Sequence, residues 1–190
     1  MALTIPRDHL DLAAIAVHRI LTDKGLNHVF LGGYELVVMG SSRGTKDVDV
    51  AVKKPLFNGF EKVKQAFIND SEFMVIEGNR TDAIRAIHQP GMVGIDILLQ
   101  KPPKGSVILP GDPNNLPFLT AMHLFMSKIK CLAERNKPSD EDDLVYIFEH
   151  TTLDWDKITS TVKASQRNEA LARHGNHPRV VEILTALNLK

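Results

Sequence analysis

Residues 31–50 of the chain read LGGYELVVMGSSRGTKDVDV and combine a glycine pair with two closely spaced aspartates. It begins with Gly32 and Gly33, whose lack of a side chain lets backbone N–H groups approach a phosphate closely. It ends with Asp47 and Asp49 in a run that alternates with valines, as a strand does. Because side chains alternate between the two faces of a strand, both carboxylates should project from one face while the valines enter a core.

The composition is that of an ordinary globular chain. Of its 190 residues, 43% are hydrophobic and 24% are charged, both near the averages for globular proteins. Lys plus Arg and Asp plus Glu number 23 each, so the formal net charge is zero. A chain that grips a long nucleic-acid backbone is usually basic, so a long duplex partner is disfavoured, whereas a nucleotide or a tRNA end is not.

The cysteine content and the apolar runs predict a cytoplasmic protein. Cys131 is the single cysteine, so no intramolecular disulfide can form and a reducing compartment fits. No run of about 18 apolar residues occurs, and the first residues lack the pattern of a signal peptide. We therefore expect no membrane partner.

Helices and strands alternate in the first half of the chain. Apolar periodicity predicts helices over residues 7–24, 34–39 and 55–69, the last with Phe57 in its apolar stripe. Strands are expected over residues 28–31, 46–52, 73–76, 83–88 and 93–99. In the last strand Asp96 is a lone carboxylate on the face opposite Val93, Ile95, Ile97 and Leu99.

The second half is expected to be helical. Residues 101–117 contain five prolines and two glycines, which indicates a linker or an ordered crossing loop. Helices are then predicted over residues 118–135, over 144–150 after a capping box at 139–142, from Asp154 or Trp155 onward, and from Pro178. The alternation of strands and helices predicts an α/β (α+β) fold class, with the strands in the first part of the chain and a helical region after the loop.

Three carboxylates on neighbouring strands, those of Asp47, Asp49 and Asp96, are candidates for a shared metal site. Hard oxygen donors suit Mg²⁺, and two such ions about 4 Å apart can activate an attacking hydroxyl and neutralise a leaving pyrophosphate. A second interpretation is structural: Asp47 and Asp49 would cap a turn and an edge, and Asp96 would pair with a nearby arginine.

These motifs resemble those of a known group of enzymes. An apolar residue, the two glycines, thirteen further residues and then Asp47-Val-Asp49-Val are similar to the motif of the DNA polymerase beta-like nucleotidyltransferase superfamily, with Asp96 as its third metal ligand. The fuller string with Arg43 and Thr45 resembles the branch of AbiEii-type toxins and small antibiotic-modifying nucleotidyltransferases. That branch also has a Lys, an Arg seven residues later and an Asp-x-x-Asp-Leu, matched here by Lys128, Arg135, Asp140, Asp143 and Leu144.

The resemblance implies a nucleotidyltransferase fold, a mixed β-sheet flanked by helices. In it, residues 1–108 are the catalytic core and residues 116–190 are a C-terminal helical region that completes the nucleotide cleft. It implies that two Mg²⁺ ions and a nucleoside triphosphate (NTP) bind there. The metal ligands and catalytic residues would be Asp47, Asp49 and Asp96. The nucleotide-binding residues would be Gly32, Gly33, Arg43, Thr45 and Lys128.

The predicted helix pair offers two cations with different expected roles. Lys128 and Arg135 lie on one helix face about 10 Å apart, so one can reach the nucleotide while the other braces the helices. We expect Lys128 to contact phosphate and Arg135 to pair with Asp140 or Asp143. A solvated position remains the alternative for Lys128, and the acids of residues 140–143 are interpreted as structural, since acids in a first turn favour the helix dipole.

The expected reaction is Mg²⁺-dependent transfer of a nucleoside monophosphate from an NTP to a hydroxyl or phosphate of a small molecule, tRNA or protein, with release of pyrophosphate. Two alternatives stay open. One is a catalytically silent partner module with the same fold. The other is a tRNA-modifying toxin, which predicts a positive surface leading to the site.

Overall fold

A computed structural model describes residues 4–187, which form eight helices and five strands. The helices are α1 (Arg7–Asp23), α2 (Gly32–Val38), α3 (Gly59–Ile68), α4 (Ala121–Glu134), α5 (Pro138–His150), α6 (Trp155–Thr161), α7 (Ala164–His174) and α8 (Pro178–Ala186). The strands are β1 (His28–Leu31), β2 (Asp47–Val52), β3 (Phe73–Ile76), β4 (Ala83–His88) and β5 (Val93–Leu98). None of these helices is long and apolar enough to cross a membrane.

The five strands form one mixed sheet in the order β1-β2-β5-β4-β3, which confirms the predicted fold class. β2 and β5 run parallel, while the other neighbouring pairs are antiparallel. One face carries Val48, Val50 and Ile95, all fully buried in a core with Leu10 of α1 and Phe67 of α3. Since side chains alternate along a strand, the opposite face of β2 and β5 is left to the aspartates.

The chain divides into two compact units, one ending at Leu119 and the other beginning at Thr120. The sequence predicts a core that ends at residue 108 and a helical region that begins at residue 116. Phe118 has extended backbone that bridges to Phe30 of β1 and to Val107, so this part of the loop joins the sheet-containing unit. Helix α4 accordingly begins at Ala121 and not at Phe118, with the Thr120 side chain accepting a hydrogen bond from the N–H of His123.

Helix α3 begins four residues later than predicted. Asn58, just before it, has left-handed backbone with φ of 49°, which a helix starting at Pro55 could not contain. Leu56 and Phe57 precede this residue and are 96% and 80% exposed. The placement of Phe57 in an apolar stripe was therefore wrong.

Helix α5 begins earlier than predicted. It begins at Pro138 with Lys137 as its N-cap, so Ser139 lies in the first turn and does not cap the helix. The proline explains the early start, because its fixed φ suits the first helical position.

Helices α6 and α8 begin at Trp155 and Pro178 as expected, whereas α7 was not predicted. Helix α7 is held by polar contacts of its last residue, His174, which is fully buried. Its Nε2 lies 3.1 Å from the carbonyl oxygen of Leu132, and its Nδ1 lies 2.6 Å from Glu141 Oε1. A search for apolar periodicity cannot detect such an attachment.

Candidate active site

The glycine pair lies where β1 ends and α2 begins, and both glycines are required by close contacts. Gly32 has φ of +79°, and a Cβ added to it would collide with the carboxylate of Asp49. A Cβ on Gly33 would lie 2.6 Å from Thr45 Oγ1 and 3.1 Å from Arg43 Nη1. The absence of two side chains therefore lets the turn pack directly against the loop and strand that carry the other candidate residues.

Strand pairing brings the predicted carboxylates to the same sheet face. In the parallel pair of β2 and β5, Asp49 lies beside Asp96, and Asp47 lies beside Gly94. Asp47 and Asp49 are two residues apart on one strand, so their side chains share a face of the sheet. Asp96 shares that face as well, because it is aligned with Asp49 on the neighbouring parallel strand. The flanking Val48 and Val50 are fully buried on the other side, as the alternation in the sequence predicted.

Thr45 and Arg43 lie in the loop before β2 and hold its geometry. Thr45 is buried, and its hydroxyl donates to the carboxylate Oδ1 of Asp47 at 3.2 Å or to its carbonyl oxygen at 3.3 Å. Arg43 donates from Nη1 to the carbonyl oxygen of Gly44 at 3.2 Å, and the same nitrogen faces Gly33. Both residues thus contact the loop itself, and their contact with a nucleotide stays a prediction.

Asp96 is in an unfavourable place for a negative charge. Burial raises the pKa of its carboxyl above the ordinary value, and the negative charge of Asp47 adds to this increase. Arg85 and Arg80 act in the opposite direction but do not cancel it. A carboxylate in such surroundings gains from a bound cation and also holds a proton more readily than an exposed aspartate.

Arg85 was not among the predicted site residues, although it belongs to the site. Its Nε lies 3.8 Å from Asp96 Oδ1, as the structural interpretation of Asp96 expected of a nearby arginine. A Cβ added to Gly94 would lie 3.5 Å from Arg85 Nη2 and 3.7 Å from Asp47 Cβ, so the guanidinium extends toward the carboxylates across a position with no side chain. The alternation of exposed Arg85 with buried neighbours in β4 was a signal for its face, but the strand order was needed to place it beside Asp96.

The donor set fits a hard divalent cation in type and in strand position. Asp47, Asp49 and Asp96 supply carboxylate oxygens from adjacent strands, and Gly32 leaves open the space beside Asp49 that a Cβ would fill. Across residues 4–187, no three His, Cys, Asp or Glu side chains are already gathered closely enough to hold a metal ion. The strand register therefore aligns the three aspartates, but their carboxylate oxygens are not close enough together to hold a metal ion.

Lys128 belongs to a buried ion-pair cluster within the second unit. Its Nζ lies 2.6 Å from Asp143 Oδ2 and 3.2 Å from Asp140 Oδ1, and its side chain is 6% exposed. Burial disfavours the charged form, but the two carboxylates outweigh it and raise the pKa of Lys128. Arg135 makes a two-pronged contact with Asp140 at 2.6 and 3.0 Å, as predicted. A phosphate contact by Lys128 stays a prediction, and the solvated alternative does not fit this burial.

Comparisons by sequence find no match: no family profile fits the chain, and no curated protein is similar to it. Comparisons by structure find proteins of similar fold. An antigenic nucleotidyltransferase-like protein from Paracoccidioides brasiliensis has a TM-score of 0.64 and 13% identity, over 97% of this chain and 95% of that one.

Two further solved structures have different biological contexts. The lincosamide antibiotic adenylyltransferase LnuA, solved with lincomycin bound, has a TM-score of 0.56 and 13% identity, over 78% of this chain and 100% of that one. MenT4, a nucleotidyltransferase toxin of Mycobacterium tuberculosis H37Rv, has a TM-score of 0.55 and 14% identity, over 94% and 92%. The mixed sheet with its glycine turn and aligned aspartates is therefore built on the nucleotidyltransferase fold.

Proposed function

We propose that this protein is a Mg²⁺-dependent nucleotidyltransferase that moves a nucleoside monophosphate from an NTP to an acceptor. The observation that carries the proposal is the register of β2 against β5, which aligns Asp49 with Asp96 and keeps Asp47 on their face. A fold can be kept without its activity, so the shared fold supports the proposal less strongly than the carboxylates do.

Asp47, Asp49 and Asp96 would hold two Mg²⁺ ions. When bound, the ions neutralise the triphosphate and stabilise the attacking and leaving oxygens. Thr45 would keep Asp47 oriented through its hydroxyl contact, and Gly32 would keep the space beside Asp49 open. Because Asp96 has a raised pKa, it is the carboxylate best suited to accept the proton of the acceptor hydroxyl.

In the proposed reaction, an acceptor oxygen forms a bond to the α-phosphorus while the bond from that phosphorus to the bridging oxygen breaks. Pyrophosphate leaves with that oxygen. Gly32 and Gly33 would approach the triphosphate through their backbone, with Arg43 and Thr45 beside them. Positioning and charge neutralisation would supply most of the acceleration.

The acceptor is proposed only as a class: a hydroxyl or phosphate on a small molecule, tRNA or protein. The solved relatives include an antibiotic adenylyltransferase and a toxin, so the fold is compatible with more than one acceptor. We place the reaction in the cytoplasm, in keeping with a chain whose single cysteine suits a reducing compartment.

A catalytically silent partner module is the second candidate, and one observation favours it. Arg85 already lies 3.8 Å from Asp96, and an arginine can serve as a permanent counter-ion to a carboxylate. In that case Arg85 would take the place that a metal ion has in an enzyme.

Calorimetric titration with ATP, GTP, CTP and UTP in Mg²⁺ tests the proposal. The native chain should bind at least one NTP, and Asp49→Asn should weaken that binding by at least about tenfold, since it removes a charged ligand. Asp23→Asn, an exposed aspartate at the end of α1, is the matched control and should bind normally. Absence of NTP binding by the folded native chain would reject the enzyme and leave the silent module.

A further inference from the structure

A pocket lies in the sheet-containing unit, at the opposite end of β1 from Gly32. It has a volume of about 260 Å³ and is lined by the start of β1, the residue after β2 and the loop over residues 101–106. In the antiparallel pair of β1 and β2, Leu31 lies beside Asp49 while His28 lies beside Val52. Lys53 of the pocket is thus four residues from Asp49, about 13 Å along the strand, so the pocket is separate from the aspartate site.

The backbone of this pocket is anchored on each side. The N–H of Lys53 donates to the carbonyl oxygen of Asn27 at 2.8 Å. The far end of the loop is tied by two hydrogen bonds between Val107 and Phe118, at 3.0 and 2.9 Å. Pro102 and Pro103 restrict the loop itself, because each proline ring fixes φ. The walls are therefore ordered segments of the sheet and of a stiffened loop.

The pocket carries charge of one sign. Lys53, Lys101 and Lys104 line it, and no aspartate or glutamate does. Among the residues the structure describes, none of these lysines forms a salt bridge. In a chain whose net charge is zero, three cations around one small cavity are a local concentration of positive charge. A cleft lined by one sign of charge focuses the field and raises the local concentration of the opposite ion.

We propose that this pocket binds a phosphate or pyrophosphate group. Its volume is below the range of about 300–1,000 Å³ usual for drug-sized ligands, which favours a compact anion. Lysines bind phosphate as point charges, and two further lining residues, Asn27 and Ser106, have side chains that can donate neutral hydrogen bonds. The proposal does not depend on the enzyme activity, since its residues are apart from the three aspartates.

Calorimetric titration with pyrophosphate and with inorganic phosphate, in EDTA at low ionic strength, tests this site. EDTA removes divalent ions, so metal-dependent binding at the aspartates does not contribute, and low salt preserves the attraction between exposed charges. The native chain should bind pyrophosphate, and K53A/K101A/K104A should weaken binding at least about tenfold, since three charge contacts are lost. All three side chains are exposed, so this variant should fold, as a thermal melt would verify.

The matched control is K24A/K62A/K130A, which removes three exposed lysines elsewhere and makes the same change in net charge. It should bind as the native chain does, and so should Asp49→Asn. Equal affinity for the two anions would assign a single phosphate group as the ligand, and tighter binding of pyrophosphate would assign a diphosphate. No binding by the native chain, or equal weakening in both triple variants, would overturn the proposal whatever the NTP titration shows.

Discussion

Two clusters of charged residues, one in each unit, differ in burial and in how their charges are paired. In the second unit, Lys128 and Arg135 face Asp140 and Asp143, and the Lys128, Asp140 and Asp143 side chains are at most 6% exposed. On the sheet, Asp96 is 31% exposed and Arg85 is 57% exposed, at a longer separation of 3.8 Å. The first cluster has two cations for two carboxylates, whereas the second has three partly buried carboxylates on one face of the sheet.

Burial and charge pairing can therefore distinguish a structural cluster from a ligand-binding cluster, even though both consist of aspartates beside basic residues. Removing one member of a buried ion pair leaves its partner as an uncompensated buried charge. Substitutions in the cluster of the second unit should therefore lower the free energy of unfolding. The aspartates of the sheet carry like charges on one face and are attracted to a cation, so they should act on binding. The predictions below test that division, beginning with the largest effect.

Lys128→Met should cost about 3–5 kcal/mol of the free energy of unfolding, because it leaves two buried carboxylates without their shared cation. Urea denaturation measures the loss. Lys130→Met is the matched control, since Lys130 lies on the same helix, is exposed and pairs with Glu134 only at 3.7 Å. It should change stability little.

A second substitution sharpens this result. Adding Asp143→Asn to Lys128→Met removes one of the two buried negative charges that have lost Lys128 as a partner. The double variant should therefore recover part of the lost stability. A Lys128→Met protein as stable as the Lys130→Met control would contradict the structural role of the cluster.

Gly32→Ala should lower stability by about 1–2 kcal/mol, the usual cost of a side chain in left-handed backbone, and should also weaken NTP binding because its Cβ displaces the Asp49 carboxylate. Gly25→Ala separates the two effects: Gly25 has φ of +63° but no atom within 4 Å of an added Cβ. It should share the loss of stability and leave NTP binding intact. Urea denaturation and calorimetry measure the two quantities, and native NTP affinity in Gly32→Ala would refute the role given to this contact.

The two clusters should also respond to pH with opposite sign. Burial raises the pKa of Asp96, so the ionised carboxylate opposes folding, and this penalty is absent below about pH 4 and develops as the pH rises. Asp96→Asn should therefore be more stable than the native chain at pH 7, with the difference shrinking toward pH 4.

Asp140 should behave in the reverse way. Burial opposes its charge, but the hydrogen bond from Arg135 and the charge of Lys128 outweigh this and lower the pKa of Asp140. Its stabilising contribution is present above about pH 4 and is lost as the pH falls further. Asp140→Asn should be less stable than the native chain at pH 7, and the gap should narrow below pH 4. Urea denaturation across this range checks both variants, and shifts of the same sign would remove the distinction between the clusters.

Much of the sheet could be predicted because its signals are local. The alternation around Asp47, Asp49 and Asp96 shows which face each side chain takes, and the glycine pair marks the junction of β1 and α2. These features depend on periodicity and backbone sterics, which the sequence displays directly.

What could not be predicted depends on contacts between distant segments. The partners of Lys128 come from another helix, and the position of Arg85 beside Asp96 depends on strand order. Helix α7 is attached through the buried His174, which has no apolar pattern. Phe57 looked like part of a core, but the left-handed Asn58 separates it from the helix.

The parallel pairing of β2 with β5 has a consequence for how the protein folds. Asp49 and Asp96 are neighbours in the sheet, yet α3, β3 and β4 lie between them in the chain. Contacts of such high sequence separation pay the entropy of closing a long loop, and they tend to slow folding. The proposed metal ligands would then come together only when β2 pairs with β5. A folding intermediate in which these two strands have not yet paired would therefore lack the site, even if β2 had already formed.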